Sequence, residues 1–188
     1  MSIINDDFWA FPGEVAIIGR LLTGYSEIEL SLLHCISQGG AGLDQALKTM
    51  FCERGEKKRI DSAEALGRAV YQKFGLYALY AHTVDDMRHC LAVRNQYAHC
   101  QWFRDAGTRL AFVNLEELAS TAMTVSDLQS LMVRHVDAAL LNHQEAFFVY
   151  VKESFDYLNS EAQVAAGRVS TPFRPKPKTV ARPPLHIP

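Results

Sequence analysis

The residues best equipped for chemistry stand together in Arg94-Asn95-Gln96-Tyr97-Ala98-His99. A guanidinium braces negative charge through its fork of N–H donors, and an imidazole gives or takes a proton near neutral pH. On a helix, His99 lies about 140° around the axis from Arg94 and about 7.5 Å along it. Asn95 lies about 40° from His99, so those two share a face. Such a helix flanks a groove with a guanidinium on one side and an imidazole with an amide on the other. The competing reading makes Arg94 a structural arginine paired with another helix, and His99 a helix-terminal residue. Glu27, Glu29 and His34 of the first helix then stand open as its partners.

A second constellation lies upstream. His82, Asp86 and His89 fall at i, i+4 and i+7, with Asp85 beside them. Imidazole and carboxylate are metal ligands, but ion pairs of Asp85 with Arg88 or His89 explain the same run on a solvated helix. We assign it no metal, and no cofactor is expected elsewhere: the chain has no Gly-rich phosphate loop, no Gly-x-Ser-x-Gly and no His-Glu-x-x-His.

The element that positions the motif is a helix over about 76–99. Leu76, Tyr80, Thr83, Met87 and Cys90/Leu91 recur at spacings of three and four, and Arg94 is the next position on that buried stripe. A core-facing arginine needs acceptors for its donors and a partner for its charge. Before it, a first helix follows Phe11-Pro12-Gly13 and runs to about Ser37, where Gly39-Gly40 stops it. Ile18, Leu21, Tyr25, Ile28, Leu32 and Cys35 form its apolar seam, with small residues such as Gly19 and Gly24 beside it. Residues 43–53 make a short helix. The run Glu53–Arg59 reads as a charged loop whose basic residues are a modest candidate for phosphate contact. Asp61 or Ser62 caps a third helix that Gly75 ends.

After His99 the period changes. Gln101–Arg104 and Leu110–Asn114 flank Asp105-Ala106-Gly107-Thr108, the pattern of a small β-hairpin. Trp102 is placed to shelter the groove or simply to pack. Leu115–Leu118 is a helical turn. A long final helix is expected from Thr124, with Asp127 completing an imperfect capping box, through Leu128, Leu131/Met132 and Val136 to about Leu158. Its polar middle, Asn142–Glu145, is a place to bend or divide.

The motif resembles the Arg-x4-His signature of the HEPN superfamily, in which the position after the arginine is usually polar, as Asn95 is here. The resemblance extends to the long helix that ends on the motif and covers roughly residues 14–158, although only Arg94, Asn95 and His99 carry it. It implies a HEPN-like helical bundle, a metal-independent endoribonuclease of toxin or defence type, an RNA substrate, an antitoxin partner, and a groove built across a two-fold homodimer. In that scheme a ribose 2′-OH attacks the adjacent phosphate, His99 handles a proton, Arg94 stabilises the developing charge, and Asn95 orients His99 or the phosphate. Many proteins of the superfamily are thought to be non-catalytic. The alternatives are therefore a dimeric interaction protein or a nucleotide-binding protein that uses the same groove without cleavage.

Composition sets the outer bounds. A chain of 188 residues supports one domain with a sizeable core, and 48% hydrophobic with 21% charged residues is ordinary for a globular protein. We therefore expect a mainly α domain over residues 1–163 with one small hairpin. Four cysteines at Cys35, Cys52, Cys90 and Cys100 lack metal-site spacing and suit a reducing compartment. No basic leader and no apolar run of membrane length is present, so a cytoplasmic protein with no membrane partner is expected. Residues 164–188 hold six of the seven prolines and no acid, and Arg168, Arg174, Lys176, Lys178 and Arg182 give them +5. They read as a flexible Pro/Arg/Lys-rich tail. Its +5 leaves −7 on residues 1–163 of a chain whose formal total is −2. That acidic body argues against a general electrostatic binder of nucleic acid.

Overall fold

Glycines and two capping side chains divide the chain into its elements. The computed structural model describes residues 5–106, 108–121 and 132–188. Helix α1 (Pro12–Ile36) opens on a proline, tolerated in a first turn because its missing N–H would have no helical acceptor there. It ends in the turn Ser37–Ala41; Gly40 (φ 124°) within that turn and Gly42 (φ 77°) just after it hold backbone conformations that side chains resist. Helix α2 (Leu43–Phe51) and helix α3 (Glu56–Lys73) follow. Gly75 (φ 70°) closes α3, with the Leu76 N–H donating to Tyr71 O at 2.9 Å, and helix α4 (Tyr77–Ala98) starts at once. Strands β1 (Cys100–Arg104) and β2 (Leu110–Asn114) form the expected hairpin. Helix α5 (Leu115–Thr121), strand β3 (Arg134–His135) and helix α6 (Ala138–Ala165) follow, and a short 3-10 helix, Asp6–Ala10, precedes α1. The protein is mainly α with a small antiparallel sheet, ordered β1-β2-β3.

Three local expectations are corrected. Helix α3 begins at Glu56 rather than Asp61 or Ser62, so Lys57, Lys58 and Arg59 are helical and not loop. Arg59 donates to the Glu29 carboxylate at 3.3 Å and lies over the Phe51 ring, which holds that first turn. The final helix begins at Ala138, because the Asp137 carboxylate accepts from the N–H groups of Ala139 (2.8 Å) and Leu140 (3.2 Å). The segment before it is strand: His135 pairs with Ala111 and Arg134 with Phe112, adding a third strand to the hairpin. Thr124, Asp127, Leu128 and Leu131 lie outside the described residues. The polar run Asn142–Glu145 stays within α6, and Gln144 is fully buried.

The chain divides into two compact units. The first takes its residues from 1–23, 92–145 and 183–188, and so holds the sheet, α5, the last turns of α4 and the first turns of α6. Its core is the buried strand β2 with Tyr97: the Phe112 ring lies 5.5 Å from Tyr97 and 4.9 Å from Trp102. Trp102 is thus a packing residue, and Phe8 meets its edge. The second unit takes residues 24–91 and 146–182. There Tyr71 and Tyr80 stack at 4.3 Å with planes 8° apart, and Leu32, Ile36, Met50 and Phe155 of the same unit are also buried.

Beyond α6 the proline-rich stretch forms no helix or strand. It was expected to be flexible, yet it is held at defined points. In the second unit Arg182 donates to Asp86 at 2.7 Å and to Asp85 at 2.6 Å, and the Ser160 hydroxyl accepts from the Phe173 N–H at 2.8 Å. One of the five cations of this stretch, Arg182, thus finds two carboxylates on α4. No helix among the described residues is long and apolar enough to cross a membrane.

Candidate functional site

The end of α4 is positioned by one side chain. The Asn114 amide donates to the carbonyls of Asn95 (3.1 Å) and Gln96 (3.3 Å), which the helix leaves without N–H partners. Its Oδ1 accepts from the Glu117 N–H at 2.9 Å and so caps the start of α5. One asparagine therefore closes one helix and opens the next. The Leu115 N–H bonds the His99 carbonyl at 2.8 Å, which leaves the His99 side chain at the junction between α4 and the sheet.

The motif residues separate into two environments. Arg94 is half-buried, and its Nη1 donates to Asn95 Oδ1 at 3.0 Å. The stripe that predicted a core position for it continues instead through Val93 and Tyr97, both buried, with Arg94 at its margin. His99 is open to solvent, its side chain 55% exposed, and Nε2 stands 3.4 Å from the Glu116 carboxylate. Glu29, one of the open partners for Arg94, is engaged by Arg59.

A groove of about 620 Å³ lies beside this helix end. Asn95, Gln96, Asn114, Glu116, Glu117, Arg134 and the Leu185–Pro188 segment line it. Among its described lining residues are neither Arg94 nor His99, so the groove does not run between those two. Glu116 links the two places, since it lines the groove and also faces His99.

Sequence reasoning missed most of the polar residues here. Arg134 is buried; it donates through Nε to His186 O at 2.9 Å and through Nη2 to Glu117 at 2.8 Å. His186, also buried, holds its imidazole between Tyr97 Oη (2.9 Å from Nδ1) and the Asp137 N–H (3.0 Å from Nε2). Burial depresses its pKa below the ordinary imidazole value; Asp137 opposes that shift and the Arg134 charge adds to it. Burial likewise pushes the Cys100 thiol up to about 12, which removes thiolate chemistry from the end of α4. Only Asn114 carried a readable signal, an asparagine directly before an acidic helical turn.

The His82/Asp86/His89 constellation does not converge as a ligand set. Asp86 is taken by Arg182 at 2.7 Å, His82 stands 3.4 Å from it, and the His89 ring meets the Phe147 ring edge-on. Among the described residues no group of three or more His, Cys, Asp or Glu side chains is arranged to hold a metal ion. No protein-family model, curated protein or solved structure matches the chain.

Proposed function

We propose that the end of α4 is a phosphodiester-cleaving site, with His99 as the proton-transfer group and Arg94 as the anion-stabilising one, in a HEPN-like protein. The observation that supports this reading best is the state of His99: solvent-accessible, beside the Glu116 carboxylate, one turn beyond an arginine tethered to Asn95. A carboxylate next to an imidazole orients the ring for proton transfer. In the proposed reaction His99 takes the proton of a ribose 2′-OH, whose oxygen bonds to the adjacent phosphorus. The bond to the 5′-oxygen breaks, and that oxygen is protonated by water or by His99 of a second protomer across a two-fold dimer. The product ends in a 2′,3′-cyclic phosphate, and DNA is inert because it lacks the attacking hydroxyl. Arg94 acts through its planar fork on the phosphate oxygens.

A second reading, a non-catalytic dimeric interaction protein, is favoured by charge. Glu116 and Glu117 line the adjoining groove, and residues 1–163 carry −7, both unfavourable to a polyanion. Incubation of mixed-sequence RNA with the protein in EDTA separates the two. The cleavage reading expects cyclic-phosphate ends, a rate loss of about 10²–10⁴ for His99→Ala, and a comparable loss for Arg94→Lys at unchanged melting temperature. If wild type and His99→Ala leave the RNA equally intact, the interaction reading replaces it. An antitoxin that binds this face would be expected to cover His99.

A further inference from the structure

Three buried amide and phenol side chains in the first unit, Gln96, Tyr97 and Gln144, all turn their polar groups to one short stretch of chain. Gln96 pairs with the His186 backbone in both directions, as a neighbouring strand would: its Oε1 accepts from the His186 N–H at 3.0 Å, and its Nε2 donates to the His186 carbonyl at 2.6 Å. Gln144 Nε2 donates to the Pro184 carbonyl at 3.0 Å. Along the stretch Pro183 and His186 are buried while Pro184, Leu185, Ile187 and Pro188 are exposed. A burial period of three is that of a polyproline-type strand lying on a surface.

The His186 side chain is read as specifically as its backbone. A backbone N–H only donates, so Asp137 N–H requires an unprotonated Nε2, and the ring hydrogen sits on Nδ1. Nδ1 then donates to Tyr97 Oη, the Tyr97 hydroxyl donates to Gln144 Oε1, and Gln144 Nε2 closes the chain on Pro184. Each group in this sequence has one consistent direction. A lysine or arginine at position 186 would meet the Asp137 N–H with another donor. An apolar residue would leave Tyr97 and Gln144 buried with groups unsatisfied, a large penalty in a dry site.

We propose that this pocket is a peptide-binding site whose ligand class is an extended polyproline-type peptide of the form Pro-x-x-His, and that residues 183–186 are its occupant in cis. Recognition is of the known modes: main-chain hydrogen bonds supply affinity and two side chains three apart supply specificity. The occupant follows residues 166–182, an irregular stretch without helix or strand that is itself held at Ser160, Asp85 and Asp86, so the site and its ligand belong to one chain. A ligand carried on the same chain binds intramolecularly, which keeps free peptide out of the wild-type pocket. The inference does not rest on RNA cleavage.

The test is fluorescence anisotropy of a labelled peptide with the sequence of residues 180–188, titrated into full-length protein. His186→Ala protein is expected to bind it saturably, at least ten-fold more tightly than wild type does. A peptide with alanine in place of its histidine is expected not to bind, and adding Gln96→Ala to the His186→Ala protein is expected to abolish binding. The proposal is overturned if folded His186→Ala protein shows no saturable binding, or binds the alanine peptide equally well. It is also overturned if His186→Ala protein fails to fold by circular dichroism, since the stretch is then part of the core and not an occupant.

Discussion

Two sets of buried tyrosine hydroxyls in this protein are satisfied in opposite ways. In the second unit Tyr71 donates to the Cys35 carbonyl at 3.1 Å and Tyr80 to the Ala63 carbonyl at 2.8 Å, both main-chain acceptors of helices. In the first unit, among the described residues, Tyr97 bonds two side chains, Gln144 and His186, one of them on a proline-rich stretch. Burial raises the pKa of all three phenols, so none ionises in the working range. The difference lies in what else depends on the bond. A main-chain acceptor in a helix already has a partner and cannot leave, whereas a side-chain partner on a distant segment is exchangeable. The first arrangement specifies a core; the second specifies a contact.

The packing around Tyr80 offers the largest test. A Cβ at Gly67 would lie 2.6 Å from Tyr80 Oη and 2.7 Å from its Cζ, on a ring already stacked against Tyr71. In a solvated helix Gly→Ala stabilises by up to about 1 kcal/mol. Here overpacking wins, and Gly67→Ala is expected to destabilise by about 2–3 kcal/mol in urea unfolding. A stabilised variant would mean that the Tyr71/Tyr80 core yields as easily as a surface, erasing the contrast between the two regions.

Removing the hydroxyls one at a time sharpens the contrast. Tyr71→Phe is expected to cost about 1 kcal/mol, an ordinary net hydrogen bond. Tyr97→Phe deprives both Gln144 and the His186 ring of a partner, and about 2 kcal/mol is expected. Equal losses in chemical denaturation would show that the two kinds of acceptor are equivalent.

The smallest effect is set by pH. The folded site holds His186 neutral, with Asp137, Arg134 (paired to Glu117) and Tyr97 facing it. The unfolded chain binds a proton below about pH 6.5 that the folded site excludes. Stability from this group is therefore complete above that pH and is lost as pH falls toward the depressed folded value. Between pH 7.5 and 5.5 the loss is expected to reach about 1 kcal/mol, read as the difference between wild type and His186→Ala. A variant with the same pH dependence as wild type would remove His186 from the account.

How much was legible from the residues differs along the chain. The α4 stripe from Tyr80 to Leu91 is buried as its period required, and the hairpin registers Trp102 with Phe112 on the strands anticipated for it. At the motif the period misled by one position: Arg94 fits the spacing of three and four, yet Val93 and Tyr97 take the buried places there. An amphipathic stripe is wide enough to admit either, and only the strand packed against it selects. Thr108 offers a smaller case, holding a φ of 72° in the hairpin turn although it is β-branched.

The amino-acid sequence by itself determined the helices, their glycine stops and the existence of a small sheet, because these depend on neighbours three, four or two residues apart. It also determined that residues 166–182 form no regular element, since proline removes donors and fixes φ. Tertiary structure alone decided that Arg134 and His186 are buried together, that Gln96 lies 90 positions from the backbone it grips, and that Asp85 and Asp86 receive Arg182. No local pattern encodes such pairings: a buried polar group is stabilised by whichever complementary group the fold delivers within 3 Å or so of it, at any separation along the chain.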